Sequence, residues 1–140
     1  QQFPDIQGLQ ANFRSTQDLK ERQESFARLF EEVAGLWVKN RCPLFGVESW
    51  PEFHKRVNDG ITEIIARGGH GRKILVFTSA GAIAVSLCRA LDCPDEIALG
   101  LSWRIWNCSL TEFVFSGDRF SLDRFNALPH IDDRNDRTYR

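Results

Sequence analysis

Lys73–Leu91 reads KILVFTSAGAIAVSLCRAL. Ile74, Leu75, Val76 and Phe77 form a short continuous apolar run. A strand buried on both faces reads this way, and such strands belong mostly to parallel sheets. Thr78 and Ser79 end the run, Ala80 and Gly81 follow, and Ile83, Val85, Leu87, Ala90 and Leu91 mark a helix that is almost wholly apolar. Strand, sharp turn and buried helix make half of a βαβ unit, whose ligands sit at the carboxyl ends of the strands. The helix N-terminus there offers unpaired N–H groups and a partial positive charge, which suits an anion. Thr78 to Gly81 is therefore the first candidate site, and the competing reading is a Ser N-cap on a core helix.

The bulk properties bound what this unit can serve. A length of 140 residues predicts one domain, and an apolar content of 42% suffices for a core. A net charge of −1 gives no electrostatic case for a nucleic-acid or acidic partner. No apolar run approaches a membrane span and the first residues do not read as a signal peptide, so neither a membrane nor a secreted setting is expected. Cys42, Cys88, Cys93 and Cys108 form no C-x-x-C pair. They read as free, mostly buried thiols of a cytoplasmic protein, with no metal and no organic cofactor expected. The chain begins at Gln1 and contains no Met, which reads as a piece of a longer protein.

Outward from the central stretch, residues 1–14 read as irregular, because Pro4 and Gly8 interrupt the stripe of Phe3, Ile6, Leu9 and Phe13. A helix is predicted to start near Ser15, Thr16 or Asp18 and to bury Phe26, Leu29, Phe30, Val33, Leu36 and Trp37. Residues 40–47 are a loop. Ser49 and Glu52 match a capping box, with Pro51 in the first turn, for a helix burying Phe53, Val57, Ile61, Ile64 and Ile65. Gly68, Gly69 and Gly71 end that helix, and His54 and His70 read as solvent-exposed. Cys93-Pro94-Asp95 is a stop. Leu99, Leu101, Trp103 and Ile105 alternate with Gly100, Ser102, Arg104 and Trp106 and predict a strand. Leu110, Phe113 and Phe115 predict another, returned through Ser116-Gly117-Asp118 to Phe120 and Leu122. Residues 131–140 read as a loose tail.

Four places together resemble the C-terminal half of the histidine phosphatase superfamily, the phosphoglycerate mutase-like group. Glu48-Ser49, Phe53 and Arg56-Val57 resemble its E-S-x-x-x-F-x-x-R-V helix start. Val76 to Ile83 resembles its V-x-H-G-G-x-I segment, Asn107-Cys108-Ser109-Leu110-Thr111 its N-x-S-[VIL]-T segment, and Phe125-Asn126 with His130 its closing F-N-x-x-x-H. The resemblance implies an α/β fold: a three-layer αβα domain with a mostly parallel central sheet, of which residues 1–140 form the C-terminal portion. It implies hydrolysis of a phosphate monoester through a phosphohistidine, on a phosphorylated small molecule or phosphoprotein. Two departures stand beside it. No R-H-G nucleophile motif exists in the chain, and Ser79 falls where the family has its second catalytic histidine. Ser79 then faces the phosphate, with Thr78, Ala80, Gly81 and Asn107 as further phosphate-binding candidates and His130 in a packing or capping role. The resemblance also implies that the family's first strand pairs beside Ile74 to Phe77, supplied by a missing N-terminal half or by a partner in an oligomer.

Two other functions fit the same residues. A serine hydrolase would use Ser79, His130 and Asp132 or Asp133, but Phe77 stands where a nucleophile elbow needs a small residue. A non-catalytic module would hold a phosphorylated ligand through Ser79 or dock a protein through Trp103 and Trp106.

Overall fold

A computed structural model describes residues 6–41, 46–69 and 71–139. They form helices α1 (Ile6–Ser15), α2 (Leu19–Val38), α3 (Trp50–Gly68), α4 (Ala80–Leu91) and α5 (Asp95–Ser102), strands β1 (Leu110–Ser116) and β2 (Arg119–Ala127), and a 3-10 turn at Arg134–Asp136. The protein is a mostly helical α/β chain. It divides into two compact units at Trp50/Pro51. Pro4, the segment 42–45 with Cys42 and Pro43, and His70 lie outside the described residues.

In the first unit, α2 starts where a good N-cap stands. The Asp18 carboxylate accepts from the Glu21 N–H at 2.9 Å. Asn40, at φ 51°, ends it in the left-handed conformation that Asn tolerates, and the Arg41 N–H returns to the Leu36 carbonyl. Residues 6–15, expected to be irregular, are helical. Gly8 falls in the first turn, where it costs little, and Phe13 anchors the helix by packing on Phe26 with ring centroids 5.7 Å apart. The predicted α2 stripe is only partly covered, and Phe26 and Phe30 remain exposed. Trp50 is buried against Trp37, edge to face at 5.0 Å.

In the second unit, α4 carries the core: Ala84, Val85, Leu87 and Cys88 are buried, with Ala98 of α5 against them. The Arg89 guanidinium donates to the Asn58 carbonyl (3.1 Å) and the Thr62 hydroxyl (2.9 Å), tying α4 to α3. Residues 110–127 form the predicted hairpin, with Gly117 in the turn at φ 56°. Phe115 pairs with Phe120, and the Phe113 and Phe120 rings stack at 4.7 Å.

Three expectations are corrected here. The strand expected over Leu99–Trp106 is α5 followed by turns. Pro94 stands at its N-cap, Asp95 and Glu96 suit the first turn, and Ala98 is fully buried on a helical face. Gly100 weakens the alternating pattern as a strand. The tail is not loose: Tyr139 stacks on Trp106 with centroids 3.6 Å apart, and the Arg137 guanidinium donates to the Ile131 carbonyl. Most consequential, Ile74 to Phe77 lies outside any helix or hydrogen-bonded strand, and all four residues are exposed rather than buried on both faces. The only sheet among the described residues is the antiparallel pair β1–β2, so no strand is present to supply the ladder that a buried parallel strand requires. Ile74 still packs at its tip near Gly68 and Phe115, where a Cβ on Gly68 would come within 3.0 Å of Ile74 Cδ1.

Candidate functional site

The apolar run delivers the chain to the start of α4. Ser79 is the N-cap by position, at φ −95° and ψ 164°, and its carbonyl accepts from the Ile83 N–H at 3.1 Å. The competing reading of Ser79 as the N-cap of a core helix therefore holds for its position, but its hydroxyl makes no capping bond. The first N–H groups of an α-helix have no intrahelical acceptor, which leaves those of Ala80 and Gly81 at the same end as this hydroxyl. Thr78 and Ser79 are exposed, and Ala80 and Gly81 are half-buried. The Phe53 ring backs Gly81, 3.4 Å from where a Cβ would stand, and the Arg56 guanidinium lies over that ring at 5.2 Å from its centroid. Phe53 and Arg56 belong to the E-S-x-x-x-F-x-x-R-V stretch, yet sequence reasoning gave them no part in the site. The signal was their presence in the same motif set as Ser79.

Thr78, Ser79, Ala80 and Gly81 thus come together at one helix end. Asn107 is engaged elsewhere: its side-chain amide donates to the Thr138 hydroxyl (2.9 Å) and the Tyr139 carbonyl (3.0 Å), and its backbone N–H donates to the Thr138 carbonyl. His130 is exposed in the turn after β2 rather than packed, and Asp133 accepts from the Asn135 N–H. Among the described residues no histidine hydrogen-bonds the Ser79 hydroxyl, which leaves the serine hydrolase reading without its base. Two shallow concavities of about 190 and 200 Å³ lie on α1–α2 and on the hairpin, neither lined by Ser79.

The two later motifs act on each other. The Asn126 side-chain oxygen accepts from the Trp106 N–H (2.8 Å), its amide donates to the Arg104 carbonyl (2.7 Å), and its backbone N–H donates to the Thr111 hydroxyl (3.3 Å). Asn126 and Thr111 therefore hold the loop before β1, and their place in the motifs is explained by architecture.

Of the three described cysteines, Cys88 is buried, Cys93 intermediate and Cys108 exposed, so the expectation of mostly buried thiols holds only for Cys88. Burial, reinforced by Asp95 and then by Cys93, pushes the Cys88 thiol up to about 12. At pH 8 it stays protonated, and iodoacetamide is expected to label Cys108 well before Cys88, as read by peptide mass mapping after brief exposure. Equal labelling rates would contradict this. The folded-state value lies above the unfolded value of 9.0, so this thiol stabilises the fold fully below pH 9 and loses that contribution as pH rises towards 12.

No helix among the described residues is long and apolar enough to cross a membrane. Neither the curated proteins nor the solved structures contain a match to the chain. A family model does match, covering residues 10–128 and so including all four motifs up to Leu128. With that span and with the α4 end built as described, the chain belongs to the histidine phosphatase superfamily (branch 1).

Proposed function

We propose that this chain forms the phosphate-binding wall of a phosphatase domain that hydrolyses a phosphate monoester, on a small molecule or a protein, through a phosphohistidine. The observation that carries the reading is the Ser79 hydroxyl, exposed and uncommitted at the N-terminus of α4. It donates one hydrogen bond to a phosphoryl oxygen, and the N–H groups of Ala80 and Gly81 add two donors under the helix dipole. Thr78 flanks them. Arg56, whose guanidinium lies over the same Phe53 ring that backs Gly81, is the candidate for the positive charge that a serine cannot supply. The nucleophile belongs to an R-H-G segment that these 140 residues do not contain. In the complete domain that segment ends a strand lying beside Ile74 to Phe77, inside a three-layer αβα fold with a mostly parallel sheet in the cytoplasm. Replacing the family's second histidine by Ser79 removes a charged donor, which costs on the order of 3 kcal/mol of transition-state stabilisation. A slow phosphatase follows, or a phosphate binder without turnover.

The test is tungstate binding, followed by calorimetry, with p-nitrophenyl phosphate hydrolysis measured in parallel. The 140-residue chain is expected to bind the anion weakly and to show no hydrolysis above buffer. Ser79→Ala is expected to weaken binding by roughly 3–10-fold, the value of one neutral hydrogen bond. Binding unchanged in Ser79→Ala would remove Ser79 from the site, and turnover by this chain alone would overturn the assignment of the nucleophile to an R-H-G segment.

A further inference from the structure

A second cluster lies away from the phosphate-binding end. His54 on α3, Cys88 on α4 and Asp95 at the start of α5 bring one nitrogen, one sulfur and one oxygen to within 4.8 Å of one another. Cys88 Sγ donates to Asp95 Oδ1 at 3.4 Å, and His54 Nε2 lies 3.6 Å from the same oxygen. Cys88 is nine positions along α4 from Ser79, roughly 13 Å at the helical rise, so the cluster is distinct from the α4 N-terminus.

We propose that His54, Cys88 and Asp95 form a zinc-binding site. This does not rest on the phosphatase reading. A tetrahedral Zn²⁺ with bonds of about 2.0–2.3 Å sets its ligand atoms about 3.3–3.6 Å apart. Two of the three edges already have that length, and the third, within 4.8 Å, closes by a side-chain adjustment of at most about 1.3 Å. The donor set selects the metal: a thiolate and an imidazole favour Zn²⁺ over the hard cations Mg²⁺ and Ca²⁺. Access fits as well. The sulfur lies inside, whereas the His54 and Asp95 side chains are each 35% exposed, so the cation enters from solvent and keeps an open fourth position. Cys93 packs against the buried cluster that holds Cys88.

The support around the ligands is also present. His54 Nδ1 lies 3.2 Å from the Asn58 side-chain amide. The same amide nitrogen donates to the His54 carbonyl at 3.0 Å, so Asn58 ties the ring to the α3 backbone and holds it in place. On binding, the Cys88 thiol releases its proton to solvent and the sulfur–metal bond replaces the S–H bond. The ion would fasten α3, α4 and α5 at one point.

The experiment is titration of the purified chain with Co²⁺, a spectroscopic substitute for zinc, and then displacement by Zn²⁺. One equivalent is expected to bind, with a thiolate-to-cobalt charge-transfer band and the intense visible bands of tetrahedral cobalt, both abolished by zinc. Cys88→Ser is expected to lose the charge-transfer band, and His54→Ala and Asp95→Ala to weaken binding at least tenfold, while Cys108→Ser matches wild type. If Cys88→Ser fails to fold, the two solvent-facing variants carry the test, with circular dichroism confirming their fold. No charge-transfer band at saturating cobalt, or a band of unchanged affinity in both His54→Ala and Asp95→Ala, overturns the proposal.

Discussion

Asn126→Ala is expected to lower the unfolding free energy by about 3 kcal/mol in urea titration, with the slope unchanged. The side chain makes two hydrogen bonds to the backbone of Arg104 and Trp106, each contributing about 0.5–1.5 kcal/mol net. The residue also sits at φ 55°, where an alanine costs about 1 kcal/mol more than a residue that tolerates the left-handed region. The two causes separate by substitution. Asn126→Gly relieves the backbone and still loses both bonds, so its loss is expected near 2 kcal/mol. Asn126→Asp keeps the acceptor for Trp106 and loses the donor to Arg104, so it falls between wild type and glycine. Wild-type stability in the glycine variant would show that the side-chain bonds contribute nothing.

What could be read in advance follows from how far apart the deciding residues lie. The hairpin was legible because its alternation and its Gly117 turn are contiguous. The start of α2 was legible because Asp18 caps locally. The place of Ser79 at the head of a buried helix was legible from one short stretch. Leu99–Trp106 was misread because alternating apolar residues also fit one side of a short helix, and Pro94 with its acidic neighbours decided for the helix. The zinc-type cluster left no signal at all. Its ligands stand singly on three helices, and only packing brings them together. The exposure of Ile74 to Phe77 was equally hidden, since apolar composition records what a segment is built to bury and not whether the covering strand is present.

That segment carries the second large expectation. Leu75 is 71% and Phe77 89% exposed. Full burial of such side chains yields about 1.5–3 kcal/mol each, so together they offer roughly 3–5 kcal/mol to any surface that covers them. An unpaired backbone edge beside them adds hydrogen-bonding capacity. In sedimentation equilibrium the chain is expected to exceed its 16.1 kDa monomer mass and to do so increasingly with concentration. Leu75→Lys combined with Phe77→Lys is expected to hold the mass at the monomer value without loss of helical circular dichroism. A wild-type chain that stays monomeric throughout the concentration range would show that this segment drives no association.

The pinning of Asn107 by Thr138 and Tyr139, and of Trp106 by the Tyr139 ring, has a consequence for biosynthesis. A ribosome delivers the chain from the N-terminus. The helices and hairpin emerge with local partners already made, but the loop at residues 104–107 must wait until position 139 is out. During translation Trp106 is therefore an apolar ring without its stacking partner, next to a strand that has already paired. A pause that leaves the hairpin outside the ribosome while Thr138 is still inside it would hold the nascent protein in that state and present Trp106 to chaperones.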